Sequence, residues 1–229
     1  MTGAFIRLFH REYSGLAGLV LAAAAVGVLF GAFYSPDIVA FFALSLAVIF
    51  GSTAGGFFRS SRRLEFLLTR NVTRRAFFLL RWVVGLVPVL IAALLASSCL
   101  VFPLSSDLWS FFVESGLTAA TLSGPGGWGW LAFCVLSSGW AYTVTFVLVS
   151  RTRDESELFI ALLLSVAVCA SAPAAFWGLG ALGVSGGLFP SDSLYSPSST
   201  FWISYYIAAP LLAAVALTVG LRLFERTDV

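Results

Sequence analysis

Apolar and charged positions fall in long blocks along this chain and do not alternate. Six stretches carry no Asp, Glu, Lys or Arg: Tyr13–Pro36, Ile38–Phe58, Trp82–Ser106, Ser115–Ser150, Leu158–Ser191 and Ser193–Leu221. An α-helix rises about 1.5 Å per residue, so about 20 residues cross the hydrocarbon core of a bilayer. Each stretch is long enough for one such helix, and none holds two with a polar turn between them. Backbone groups in lipid must be satisfied internally, which leaves helices or closed barrels. The stretches lack the two-residue alternation of barrel strands. The pattern predicts an all-α integral membrane fold, one transmembrane domain over 1–229. Its six transmembrane helices are expected near 14–34, 38–58, 79–102, 128–150, 158–180 and 201–221.

Composition agrees with this reading. Of the 229 residues, 59% are hydrophobic and 10% charged, against about 25% charged in a soluble domain. A water-soluble globular enzyme is excluded. All 13 basic residues are arginine, and their placement carries the topology. Arg7 and Arg11 precede span one. Arg59, Arg62, Arg63, Arg70, Arg74, Arg75 and Arg81 follow span two, Arg151 and Arg153 follow span four, and Arg222 and Arg226 follow span six. The other three connections hold only acids: Asp37, then Asp107 and Glu114, then Asp192. Arginine-rich short loops stay on the cytoplasmic side. Both termini are therefore expected in the cytoplasm, with the chain in the inner or plasma membrane. No cleavable signal peptide is expected, because Met1–Arg11 is amphipathic and lacks a short apolar core.

Two segments outside the spans have internal order. Phe5, Phe9 and Tyr13 recur at four-residue spacing, as do Arg7 and Arg11. This suits a short interfacial helix lying on the inner leaflet; a frayed terminus is the plainer alternative. After span two, Ser60 and Ser61 suit a helix N-cap, and Leu64, Leu67 and Leu68 fall at i, i+3, i+4 along one edge. Asn71 suits a C-cap and Thr73 the cap of the next helix. The spacing predicts a short amphipathic helix parallel to the membrane, turning sharply into span three, where Trp82 is expected to anchor at the interface. A plain solvated loop, carrying arginines only for topology, is the alternative. Gly27/Gly31 and Gly51/Gly55 form two Gly-x-x-x-Gly pairs, read as helix packing.

Catalytic chemistry is scarce. His10 is the one histidine, and no span contains Asp or Glu. Aspartyl or zinc intramembrane proteolysis has no ligands at membrane depth. Cys99, Cys134 and Cys169 are odd in number, lie within spans and suit buried apolar packing. With no lysine, the chain cannot supply the phosphate-gripping residue of a P-loop. A net charge of +2 gives no case for nucleic acid.

An amphipathic start before six spans, the run Leu64-Glu65-Phe66-Leu67-Leu68-Thr69-Arg70-Asn71-Val72-Thr73-Arg74-Arg75, and the mixed-charge end Arg222-Leu223-Phe224-Glu225-Arg226-Thr227-Asp228 together resemble the membrane (permease) subunits of ABC-2-type ABC transporters. Asn71 stands where that family commonly has proline, and Arg62-Arg63 where small residues are common. The resemblance implies that the loop helix is a coupling helix. Arg62, Arg63, Leu64, Glu65, Leu67, Leu68, Arg70, Arg74 and Arg75 would contact a separate cytoplasmic ATPase, present in two copies. It also implies a second permease subunit, identical or paralogous, enclosing the path. ATP and magnesium would bind the partner, leaving this chain without a cofactor and not itself an enzyme. Walls without charges point to a hydrophobic or amphiphilic substrate, and short outer loops to export. A non-transporting membrane scaffold is the runner-up. A passive channel subunit is weaker, because charged or polar rings are lacking.

Overall fold

The computed structural model describes residues 18, 22, 24, 25, 36–56, 74–101, 125–152, 154–181 and 199–226; within the helices, side chains are described for 39–56, 75–98, 131–149, 155–168 and 206–225 as well as the first four. Among the described residues there are helices and one tight turn, and no strand. Five helices are complete: α1 (Pro36–Gly56), α2 (Arg74–Val101), α3 (Pro125–Val149), α4 (Glu155–Ala181) and α5 (Ser199–Arg226). These helices lie over the stretches read as spans two to six, to within about five residues at each end, and four of them hold a candidate membrane span. Val39–Gly56, Arg75–Ser98, Leu131–Val149 and Tyr206–Glu225 are long and apolar enough to cross a membrane. The chain is thus a helical, multi-pass membrane protein. Of span one, Gly18, Ala22, Ala24 and Ala25 are helical. The rest of that span, the N-terminal interfacial helix and the helix expected around Leu64–Leu68 lie outside the described residues.

The central element is α3. It packs against α1, α2, α4 and α5, and every residue from Ala141 to Val147 is buried. A helix buried on all sides needs no amphipathic pattern, and α3 has none: Phe146, Tyr142, Thr145 and Ala141 share one solvent-free interior. Neighbours reach it closely through glycine. A Cβ on Gly51 would stand 2.9 Å from both Thr145 Cβ and Tyr142 O, and one on Gly55 would stand 2.7 Å from Phe146 O. Side chains at these positions would hold the α1 and α3 backbones apart. The Gly51/Gly55 pair therefore packs within the chain. Gly220 gives α5 the same access to Val147.

Two apolar clusters mark the two ends of the bundle. One gathers Phe50 and Ala54 of α1, Phe77 and Phe78 of α2, Phe146 and Val147 of α3, and Leu221 and Phe224 of α5. The other joins Val39, Ala40, Ala96 and Cys134. These contacts make α1 antiparallel to α2 and α2 antiparallel to α3. Outward faces are equally apolar. Val83, Val87, Ile91, Leu94 and Leu95 are exposed on α2; so are Phe159, Ile160, Leu163 and Leu164 on α4, and Ile207, Leu211, Leu212 and Val215 on α5. Continuous apolar surfaces of this extent do not survive in water; hydrocarbon is the solvent that suits them.

Candidate functional site

The end of the bundle built on the larger cluster is also where the described charges collect. Arg75, Arg151, Arg222 and Glu225 are exposed there, and Arg81 is half-buried. The α3–α4 connection is short, and its first residues are hydrogen-bonded to the end of α3. Ser150 N donates to Phe146 O (2.9 Å), Arg151 N to Leu148 O (3.2 Å) and Thr152 N to Val149 O (3.1 Å). Thr152 is itself buried and its Oγ1 donates to Val149 O at 2.8 Å. Arg151 Nη1 then reaches across to Leu223 O at 3.2 Å, one of the last four carbonyls of α5, which lack intrahelical donors. The cation also complements the negative end of that helix. Asp154 caps α4: its Oδ1 accepts from Glu157 N (2.8 Å) and Ser156 Oγ (2.7 Å). Glu155 and Glu157 follow in the first turn, where the helix dipole favours acids.

Beneath this surface lies a packed aromatic layer. Phe78 is the hinge of it, with ring centroids 5.0 Å from Phe146 and 5.1 Å from Phe224. Tyr142 stacks on Phe146 at 6.0 Å. One layer deeper, two hydrogen bonds cross between α2 and α3. Tyr142 Oη donates to Trp82 O at 3.0 Å, and Trp82 Nε1 donates to Thr143 Oγ1 at 3.2 Å. Trp82, expected at the membrane interface, therefore turns its N–H inward to Thr143. The interior is otherwise free of charge: the buried polar side chains among the described residues are Ser97, Ser137, Ser138, Thr143, Thr145, Thr152 and Ser165. Most of their hydroxyls bond the carbonyl one turn earlier, as Ser97 does to Ala93 O and Ser138 to Cys134 O. Such hydroxyls are self-satisfied and do not line a polar path. No cluster of three or more His, Cys, Asp or Glu that could hold a metal occurs among the described residues.

Of the residues singled out for ATPase contact, Arg74 and Arg75 open α2, with Arg75 exposed at the charged end. Arg62, Arg63, Leu64, Glu65, Leu67, Leu68 and Arg70 lie outside the described residues, as do Phe5, Arg7, Phe9 and Arg11. The segment 57–73 nevertheless joins Gly56 of α1 to Arg74 of α2, and both of those helix ends belong to the charged end of the bundle. Sequence patterns did not reveal the Tyr142–Trp82–Thr143 bonds or the Phe78 layer. The available signal was faint: the pair Phe77-Phe78 one residue after Arg74-Arg75, and Tyr-Thr within an uncharged stretch. The chain matches no protein-family model, no curated protein and no solved structure.

Proposed function

We propose that this chain is the membrane-spanning permease subunit of an ATP-driven, ABC-2-type transporter. In this reading it pairs with a second permease subunit and is driven by two copies of a separate cytoplasmic ATPase. The observation that carries the reading is the common position of the charged helix ends: segment 57–73, with its leucine edge, leaves and re-enters the bundle at the end that holds Arg75, Arg81, Arg151 and Arg222. That end is assigned to the cytoplasm by its arginines. The start of the α3–α4 turn and the Phe78 aromatic layer pack against the ends of α1 and α2 that the segment joins, so a force applied to the segment reaches the bundle through them. Among the described residues the interior buries no charged side chain, which supports a hydrophobic or amphiphilic substrate, since such an interior does not compensate a desolvated ion. With both termini in the cytoplasm and six spans, the chain would lie in the inner or plasma membrane.

The test is made on the leucine edge. Burying a leucine in a protein groove contributes roughly 1.5–3 kcal/mol, and such contacts concentrate energy in a few side chains. Changing Leu67 and Leu68 together to Asp is expected to abolish co-purification with the ATPase and transport-linked ATP hydrolysis while membrane insertion stays intact. Glu65→Arg is expected to weaken docking less, because a rim charge acts mainly on orientation and on-rate. Full association and activity in the double variant would remove the coupling role and favour the scaffold reading.

A further inference from the structure

The helix that leads from segment 57–73 into the membrane is built in two unlike halves. Pro88 sits inside α2. It has no N–H to give Val84 O, and its ring crowds that carbonyl, so the helix is weakest between residues 84 and 88. Gly85 lies in the same turn. On the charged side of this point the helix is held by Phe78 against Phe146 and Phe224. On the far side it is held by small side chains: Ala92, Ala93 and Ala96 are buried, with Ala96 against Val39 and Cys134.

Tyr142 sits at the joint itself. Its hydroxyl and ring edge fill the space that a Cβ on Gly85 would need, and Oη donates to Trp82 O. Trp82 O is already the natural acceptor for the N–H of Leu86, one turn on, so the phenol adds a second bond to the last regular turn before the proline. The reciprocal bond from Trp82 Nε1 to Thr143 Oγ1 fixes the same turn from its side-chain end. We propose that α2 is jointed at Gly85–Pro88, and that Tyr142, seated on Gly85 and bonded to Trp82 O, is the latch holding the charged half of α2 against α3. With the latch released, the segment from Arg74 to Pro88 swings about the proline as a lever. The proposal stands on helix geometry alone and holds whichever partner engages segment 57–73.

The lever is about 21 Å long at 1.5 Å per residue, and a change of about 20° at a proline joint moves its end by about 7 Å. Interhelical hydrogen bonds in membrane bundles shift equilibria by about three- to eighteen-fold, enough to change a minor population into a visible one. The experiment is pulsed electron-spin distance measurement on the purified full chain in lipid nanodiscs. Cys99, Cys134 and Cys169 are replaced by Ala, and nitroxides are attached through Arg75→Cys and Arg222→Cys, both exposed positions. The parent chain is expected to give a single distance. Tyr142→Phe, which keeps the ring and removes the donor, is expected to add a second population displaced by about 7 Å. Gly85→Ala, whose methyl displaces the phenol and also meets Ala54 Cβ at 3.1 Å, is expected to do the same. Adding Pro88→Ala, which restores the N–H, is expected to return each variant to one population. An unchanged single distance in Tyr142→Phe overturns the latch, and a second population that persists with Pro88→Ala overturns the joint. Should Tyr142→Phe not give folded protein, Gly85→Ala decides on the same outcomes.

Discussion

Two threonines, two residues apart in α3, show how differently a buried hydroxyl can be treated. Thr143 Oγ1 donates to Gly139 O at 2.8 Å and accepts from Trp82 Nε1. Thr145 is fully buried, yet its Oγ1 has no hydrogen-bond partner. Its Cβ and Cγ2 instead form the floor beneath Gly51, so shape, not polarity, is what the position uses. A buried hydroxyl left unsatisfied costs about 1–3 kcal/mol, and an apolar replacement of the same shape recovers much of that. Thr145→Val is therefore expected to raise stability by about 1 kcal/mol. Thr143→Val removes an interhelical bond and is expected to lower it, by about 0.6–1.7 kcal/mol on the scale measured for such bonds in membranes. Denaturation of the purified chain in mixed micelles, read by the midpoint of helix loss, separates the two. Equal losses in both variants would mean that Thr145 finds a partner after all.

At the scale of helices, what the sequence revealed and what it concealed have separate physical causes. Helices α1 to α5 were legible because charge is excluded from hydrocarbon, so the ends of the apolar stretches Ile38–Phe58 or Trp82–Ser106 are written as the positions of Asp37, Arg59, Arg81 and Asp107. Which face of a helix meets which neighbour was not legible. In water, polar residues mark the outer face; here Val87 and Ile91 on the exposed face of α2 are as apolar as Phe78 and Val89 on the buried one. Glycine carried the remaining information. Gly51 and Gly55 mark the contact with α3, whereas Gly56 meets only Val149 Cγ1 at 4.0 Å and Gly139 only Leu90 Cδ2 at 3.5 Å. Gly55→Ala would press a methyl group onto the Phe146 carbonyl, which belongs to a backbone and cannot turn aside. It is expected to cost about 1–3 kcal/mol, the range for overpacking. Gly56→Ala and Gly139→Ala meet ordinary contacts and are expected to leave the unfolding midpoint unchanged or higher. A tolerated Gly55→Ala would mean that α1 and α3 do not approach this closely.

At the scale of the whole molecule, one asymmetry organises everything proposed for it. The ends of α1, α2, α3 and α5 that bear or adjoin arginine lie together, and Arg151 ties two of them through Leu223 O. The opposite end of the bundle is reached by connections with Asp37, Asp107, Glu114 and Asp192 and no arginine. Because arginine-bearing loops resist translocation, the charged end is expected to face the cytoplasm and the acidic connections to face outward. In a chain with Cys99, Cys134 and Cys169 replaced by Ala, single cysteines report this directly. Ser193→Cys, beside Asp192, is expected to react with a membrane-impermeant maleimide added to intact cells. Ser61→Cys, beside Arg62, is expected to react only after the membrane is opened. The pair tests more than sidedness, since three helices, α2, α3 and α4, separate the two positions, and only an odd number of crossings between them puts the two on opposite sides. Labelling of Ser61→Cys from outside would remove the cytoplasmic assignment of segment 57–73, and with it the surface on which an ATPase is proposed to dock.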